Sequence, residues 1–374
     1  MSERKFWKKI KNNRFYLALT GIICAILLFI MVLYLAVPSY SFADIEPFHG
    51  EFIYNPYASN NPRWINVYYI DFRSKQIEDE VLKTYEYGYA MTGTRYLCLG
   101  YKEKRLIDYP FLQSVHYKQF NIDKLNKKTR LVALAHPSKG FKKGELTHLD
   151  HYRVMEALST NDNSLFYWDI ALSNGHRVNI IATNNGADSC SNPMKYTVAC
   201  LNVNGGEEVL KSIETGNSYA VAYRGELFEV PVLQEVTVTT DTLFVSVGGK
   251  AKEIRFIGQN AIVKQSVRNV AEAYYPIQKD DTYIRTEIEF ENGNTLYLNP
   301  LVCHQYQYFF DLDKAKVMKG RTYLMWAVYI IVVLAFAKLV ISTEAKRNGD
   351  LSEAKAFTKG EKISDKDKDE DSGK

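Results

Sequence analysis

The chain has 374 residues, 46% of them hydrophobic and 24% charged, a balance that supports a substantial buried core and excludes disorder for the bulk of the molecule. Its formal net charge of +4 is spread among acidic residues rather than gathered in basic stripes, which excludes the electrostatic footprint of a nucleic-acid binder. Twenty-seven tyrosines, some paired as in Tyr68-Tyr69 and Tyr274-Tyr275, suit strands whose rings pack while the hydroxyls find water or a partner.

Residues 1–14 form a basic segment, with Arg4, Lys5, Lys8, Lys9, Lys11 and Arg14 against the lone Glu3. From Phe15 to Val37 no charged residue occurs, a run long enough to cross a hydrocarbon core of about 30 Å as a helix. The basic flank places the N-terminus in the cytoplasm. Ser41-Phe42-Ala43 resembles a leader cleavage site, but the apolar run exceeds a usual leader core of about 7–15 residues, so an uncleaved anchor is expected.

Residues 44–224 read as α/β, with short apolar runs alternating with helical stretches. Leu131-Val132-Ala133-Leu134-Ala135 is apolar throughout, as a strand buried on both faces would be, and ends in His136-Pro137. Val178 to Ala182 reads as another strand, ending in Thr183-Asn184-Asn185. The spacing predicts helices over Phe166–Asn174, stopped by Gly175, and over Glu207–Thr215, stopped by Gly216.

Residues 225–310 change to two-residue alternation: Val236–Thr239, Leu243–Val247 and Ile254–Ile257, with Asn292-Gly293 as a hairpin signal between Thr286–Phe290 and Leu296–Leu298. A small antiparallel β-sandwich is expected there. A second span, within residues 322–342, runs from Tyr323 to Ile341, with Trp326 and Tyr329 near one end and Lys338 placed to snorkel. Residues 343–374 mix Lys with Asp and Glu and have too few apolar residues to bury a core, the composition of a disordered cytoplasmic tail. Two spans from an inside start put both termini in the cytoplasm and the large domain outside, the topology of a bacterial inner-membrane protein facing the periplasm. Of the exterior cysteines Cys98, Cys190, Cys200 and Cys303, the Cys190/Cys200 pair is near enough in sequence to close a small loop in an oxidising compartment.

Residues at the carboxyl ends of parallel strands are the natural carriers of chemistry. The order of those endings here is His136-Pro137, Glu156 after Val154-Met155, Trp168-Asp169 to Gly175, Ile181 to Asn185, and Gly216 to Val221. Together they resemble the second half of the PHP superfamily, named for polymerase and histidinol phosphatase, over roughly Trp64 to Pro300. The resemblance implies a distorted (β/α)7 barrel and metal-dependent phosphoester hydrolysis at a cluster of up to three metal ions. The segment Asp281 to Arg285 and Tyr297 to Pro300 resembles the β-appendage of some extracytoplasmic members.

Residue by residue, the pattern is incomplete. Tyr68 and Ile70 stand where the family opens with His-x-His, and Tyr96-Leu97 where it has Asp-His. His136 matches the family's His-Pro ligand and Glu156 its metal-bridging glutamate. At the last site Asn184, Asn185, Gly186 and Ala187 stand in place of an Asp-x-His ending, with Asp188 one place late. Asparagine is a poor substitute for a carboxylate that must hold a divalent ion and ionise its water.

The expectation is a pseudoenzyme without a resident cofactor, a binding or accessory module whose partners are the lipid bilayer and a membrane protein or envelope ligand. The alternative is a phosphoesterase with a reduced site, one divalent metal (Zn, Mn or Fe) at His136 and Glu156. A shifted site would use His148 and His151, which on a helix would share a face, although ordinary polar surface suits them better. His116, His176 and His304 are isolated in sequence, and His49 falls in a linker. No phosphate-binding Gly-x-x-x-x-Gly-Lys, Gly-x-Ser-x-Gly elbow or His-Glu-x-x-His occurs, which removes support for the chemistries they carry.

Overall fold

The computed structural model describes residues 21–23, 25–26, 28–30, 32, 37–44, 46–58, 66–70, 72, 82–88, 92–105, 108, 113–159, 162–184, 194–201, 205–224, 230–306, 314–338 and 342. The chain divides into two compact units, residues 1–39 with 318–374, and residues 40–317.

In the first unit a 20-residue helix, Lys319–Lys338, is long and apolar enough to cross a membrane. Ser39 N donates to Thr322 Oγ1 at 3.0 Å, and Tyr323 packs edge-on against Trp326. Most of the span predicted over 15–37 lies outside the described residues; its described part includes a shorter apolar helix, Gly21–Ile30.

Among the described residues the second unit has eighteen strands: β1 (Tyr40–Phe42), β2 (Phe52–Tyr54), β3 (Asn66–Ile70), β4 (Thr84–Tyr87), β5 (Arg95–Tyr101), β6 (Thr129–Ala135), β7 (Val154–Ser159), β8 (Asp162–Asn163), β9 (Asn179–Thr183), β10 (Met194–Leu201), β11 (Ser218–Tyr223), β12 (Leu233–Thr239), β13 (Thr242–Gly258), β14 (Ile262–Pro276), β15 (Tyr283–Glu289), β16 (Thr295–Leu298), β17 (Leu301–His304) and β18 (Ala315–Val317). Its helices are α1 (Val115–Asn126), α2 (Pro137–Gly140), α3 (Lys143–Leu146), α4 (Leu165–Ser173) and α5 (Gly206–Thr215).

The architecture is mixed α/β. One six-stranded sheet runs β4-β5-β6-β7-β8, with β9 beside β7. Its centre is parallel, β6 to β7 and β7 to β9, as the near-continuous apolar runs require, but β4 and β5 join it antiparallel. The other large sheet has ten strands and follows β12-β13-β15-β16-β11-β10-β3, with β14, β17 and β2 attached. Among the described residues the strands thus form two large sheets and a ribbon rather than one closed barrel. The strands expected as a separate sandwich continue a sheet begun by the α/β half, because β16 pairs with β11 from Tyr219↔Leu298 to Ala222↔Thr295.

α5 shows why these segments fold as they do. Val209, Leu210 and Ile213 bury one face, Glu207 and Glu208 suit the positive helix start, and Gly216 closes the end at φ +85°. Asn179 of β9 donates through Nδ2 to the Ile213 and Glu214 carbonyls at 2.8 and 2.9 Å, satisfying two end acceptors. α4 ends as predicted at Gly175, φ +71°. α1 and α4 cover the six-stranded sheet with Ile122, Leu125, Trp168 and Leu172.

One charged network is fully internal. Arg285 of β15 binds Asp169 of α4 bidentately, Nε and Nη2 each at 2.7 Å, and gives Nη1 to Glu287 at 2.5 Å. The Tyr283 hydroxyl donates to Asp169 Oδ1 at 3.0 Å, and the guanidinium lies over the Trp168 ring at 5.2 Å. The antiparallel half is thereby bolted to α4.

Candidate functional site

The carboxyl ends of the adjacent parallel strands β6, β7 and β9 bring His136, Ser159 and Thr183 together around Glu156. His136 ends β6 with φ +46° and ψ +56°, a left-handed conformation rare for a non-glycine residue, immediately before Pro137 starts α2. Glu156 is fully buried and His136 is 3% exposed.

Both Glu156 oxygens are engaged by the protein. Oε2 accepts the backbone N–H of His136 at 3.2 Å, and Oε1 accepts the Thr183 hydroxyl. His136 Nδ1 lies 3.6 Å from Glu156 Oε2 and 3.1 Å from Ser159 Oγ. The set has the composition of a Ser-His-Glu triad without its geometry. A proton relay needs hydroxyl and carboxylate on opposite ring nitrogens, whereas here both approach Nδ1.

The mouth beside this pair is polar. Ser138 and Ser164 donate hydroxyls to Asp162, and Ser164 Oγ accepts the Ser138 N–H at 3.0 Å. Lys195 of β10 donates Nζ to the Ser159 carbonyl, and its N–H goes to Asn184 Oδ1 at 2.8 Å. Burial lowers the Lys195 pKa, with Asp162 opposing.

Among the described residues this arrangement offers a divalent ion few donors. One histidine and one carboxylate with both oxygens already bonded supply too few donors, and the Asn184 oxygen is taken by Lys195. Among the described residues no three His, Cys, Asp or Glu side chains gather as a metal site. Asn185 and Asp188 lie outside the described residues, as does Cys190, while Cys98 and Cys303 are buried free thiols.

No protein-family model and no curated protein matches the chain. Among solved structures it is similar to a two-domain protein from Bacteroides vulgatus described as containing a predicted PHP-like metal-dependent phosphoesterase, at 11% identity and a TM-score of 0.28, over 56% of this chain and 69% of that one.

The remaining histidines are distributed by the fold. His148 and His151 do not share a helix face: α3 ends at Leu146, and His151 adopts φ +63°. His148 Nδ1 donates to the Gly144 carbonyl at 2.8 Å, and His151 Nδ1 lies 2.6 Å from Asp123. His49, expected in a linker, is held by Pro47 and Gln305. Sequence reading named His136 and Glu156 but missed Ser138, which follows His136 in α2, and Ser159, Asp162 and Lys195, which the strands bring to the mouth. Asp162-Asn163-Ser164, a polar turn immediately before a helix, was the one signal available.

The pairing makes Thr183 a test of the site. Thr183→Val should cost about 1–3 kcal/mol, because it strips a buried Glu156 oxygen of its donor. A chemical-denaturation midpoint reads this, and an unchanged midpoint would show the hydroxyl contact to be immaterial.

Proposed function

We propose that this chain is a membrane-anchored, catalytically degenerate PHP-like domain that serves as a binding or accessory module of an envelope complex. The observation that carries the reading is the internal use of Glu156: the carboxylate that would bridge metals instead ties β6 to β9 through His136 and Thr183. The residues at the other ligand positions agree, with Tyr96 and Leu97 standing where the family has its Asp-His pair. The polar mouth of Ser138, Asp162 and Lys195 suits recognition of a polar envelope ligand or a membrane-protein partner. The helix Lys319–Lys338 supplies an anchor, and the basic residues before Phe15 favour an inner-membrane, two-pass arrangement with the large domain in the periplasm.

A second reading is a phosphoesterase with a reduced metal site at His136 and Glu156. It is favoured by the left-handed His136, since backbone outliers concentrate at functional sites.

Metal analysis of the purified full-length protein beside its His136→Ala form separates the two. The expected result is no bound Zn, Mn or Fe in either form. Near-stoichiometric metal that disappears in the variant would overturn the degenerate reading.

A further inference from the structure

β1 and β18 pair antiparallel from Tyr40↔Val317 to Phe42↔Ala315, so the first and last strands of the large unit form one two-stranded ribbon. The chain continues from this ribbon at Ser39 and Met318 toward its apolar segments. The ribbon is held to the rest of its unit largely by titratable side chains. His116 Nδ1, on α1, accepts the backbone N–H of Tyr40 at 3.1 Å. The Tyr40 hydroxyl donates to Asp123 Oδ2 at 2.6 Å, and the Phe42 ring stacks on His116 and meets His148 edge-on, both at 5.6 Å between centroids. On the β18 side, Lys314 N donates to Asp150 Oδ2 at 2.6 Å, and Lys314 Nζ donates to the Gly175 carbonyl at 2.5 Å.

We propose that this ribbon is an acid-sensitive clasp, loosened at Tyr40 when His116 takes up a proton on the nitrogen that accepts the Tyr40 N–H. Only the neutral imidazole with Nδ1 unprotonated, its lone pair available, makes that bond; protonation sets two donors against each other. The described contacts of His116 include Tyr40 and Phe42 of β1, and the charged and titratable groups that hold the ribbon or bind those groups in turn are Asp123 of α1, His148, Asp150 and His151 beyond α3, and Lys314 before β18.

They sort by sign. His151, 2.6 Å from Asp123 and 3.7 Å from Asp150, binds its aspartates more firmly when charged, so acid keeps that side closed. Burial raises the Asp123 pKa, but hydrogen bonds from His151, Tyr40 and Gln119 outweigh it, and Asp123 remains an anion throughout the histidine range. The stacked Phe42 ring tolerates an imidazolium beneath it. The Tyr40 N–H is therefore the contact that acid breaks, while the aspartate contacts keep the ribbon near its seat.

The test is hydrogen exchange on the full-length protein in detergent, corrected for the intrinsic pH dependence, at pH about 7.5 and about 5.5. The expected result is faster exchange of the Tyr40–Phe42 peptide at the lower pH, on the order of tenfold, with Val154–Ser159 unchanged. His116→Asn, which offers an oxygen near the Nδ1 position and does not titrate, should abolish the difference. Equal ribbon exchange at both pH values, joint acceleration of ribbon and core, or a persisting response in His116→Asn would each overturn the proposal. The wild-type comparison decides even where the variant does not fold.

Discussion

Arg285→Met is expected to remove about 3–5 kcal/mol of stability, because the substitution leaves the buried Asp169 with the Tyr283 hydroxyl but no cation, while Glu287 keeps Arg255 at 3.0 Å. The guanidinium satisfies both Asp169 oxygens and one of Glu287 while filling the space over Trp168, so methionine restores volume but none of the donors. The measurement is the midpoint of chemical denaturation of the full chain. Adding Asp169→Leu to Arg285→Met should recover a large part of the loss, since the penalty belongs to the orphaned charge rather than to the pair. A single variant as stable as the parent would mean that water reaches Asp169, contrary to its burial.

Stability is also expected to fall as pH drops from about 6.5 to about 4, and His176 is the group to follow. Burial, reinforced by Lys314, pushes its pKa down to about 4, with the Thr147 carbonyl accepting from Nε2 at 3.1 Å and Tyr152 stacked on the ring. Between the two values the unfolded chain binds a proton that the folded chain refuses. Stability is therefore whole above the unfolded value and is lost on acidification, by about 3 kcal/mol once pH reaches the folded one. His176→Gln keeps an N–H for Thr147 and removes the titration. Denaturation midpoints of the variant should depend less steeply on pH in this window; parallel profiles would assign the acid sensitivity elsewhere. The effect is global, unlike release of the Tyr40 N–H, which stays local to the ribbon.

Much of the fold was legible where a local rule and a tertiary demand agree. The apolar run Leu131–Ala135 is the core of β6, the glycine stops at 175 and 216 close α4 and α5, and Asn292-Gly293 turns β15 into β16 with Gly293 at φ +80°. The expected strands Leu243–Val247 and Ile254–Ile257 proved to be parts of one strand, because Gly248-Gly249 between them lies in a register shift within β13 rather than in a turn. β14 was missed altogether: its exposed Lys264, Ser266 and Arg268 hide the alternation of an edge strand. At the site, His136 and Glu156 were visible as residues, but not that Thr183 and the His136 backbone would occupy both carboxylate oxygens. That follows from the parallel register of β6, β7 and β9, which no single segment encodes.

The pairing of β1 with β18 has a mechanical corollary. Tyr40 and Val317 face each other at the end where both strands leave the unit, so tension drawing the two chain connections apart would load the ribbon as a zipper, one residue pair at a time. A zipper yields at lower force than strands sheared along their length, and its opening spares the sheets behind it until Phe42 and Ala315 have parted. The ribbon is thus a mechanical fuse in series with the core: once the Ser39 bonds to Thr322 and Met318 give way, a pull through the chain ends would be absorbed at Tyr40, the residue that His116 and Asp123 hold.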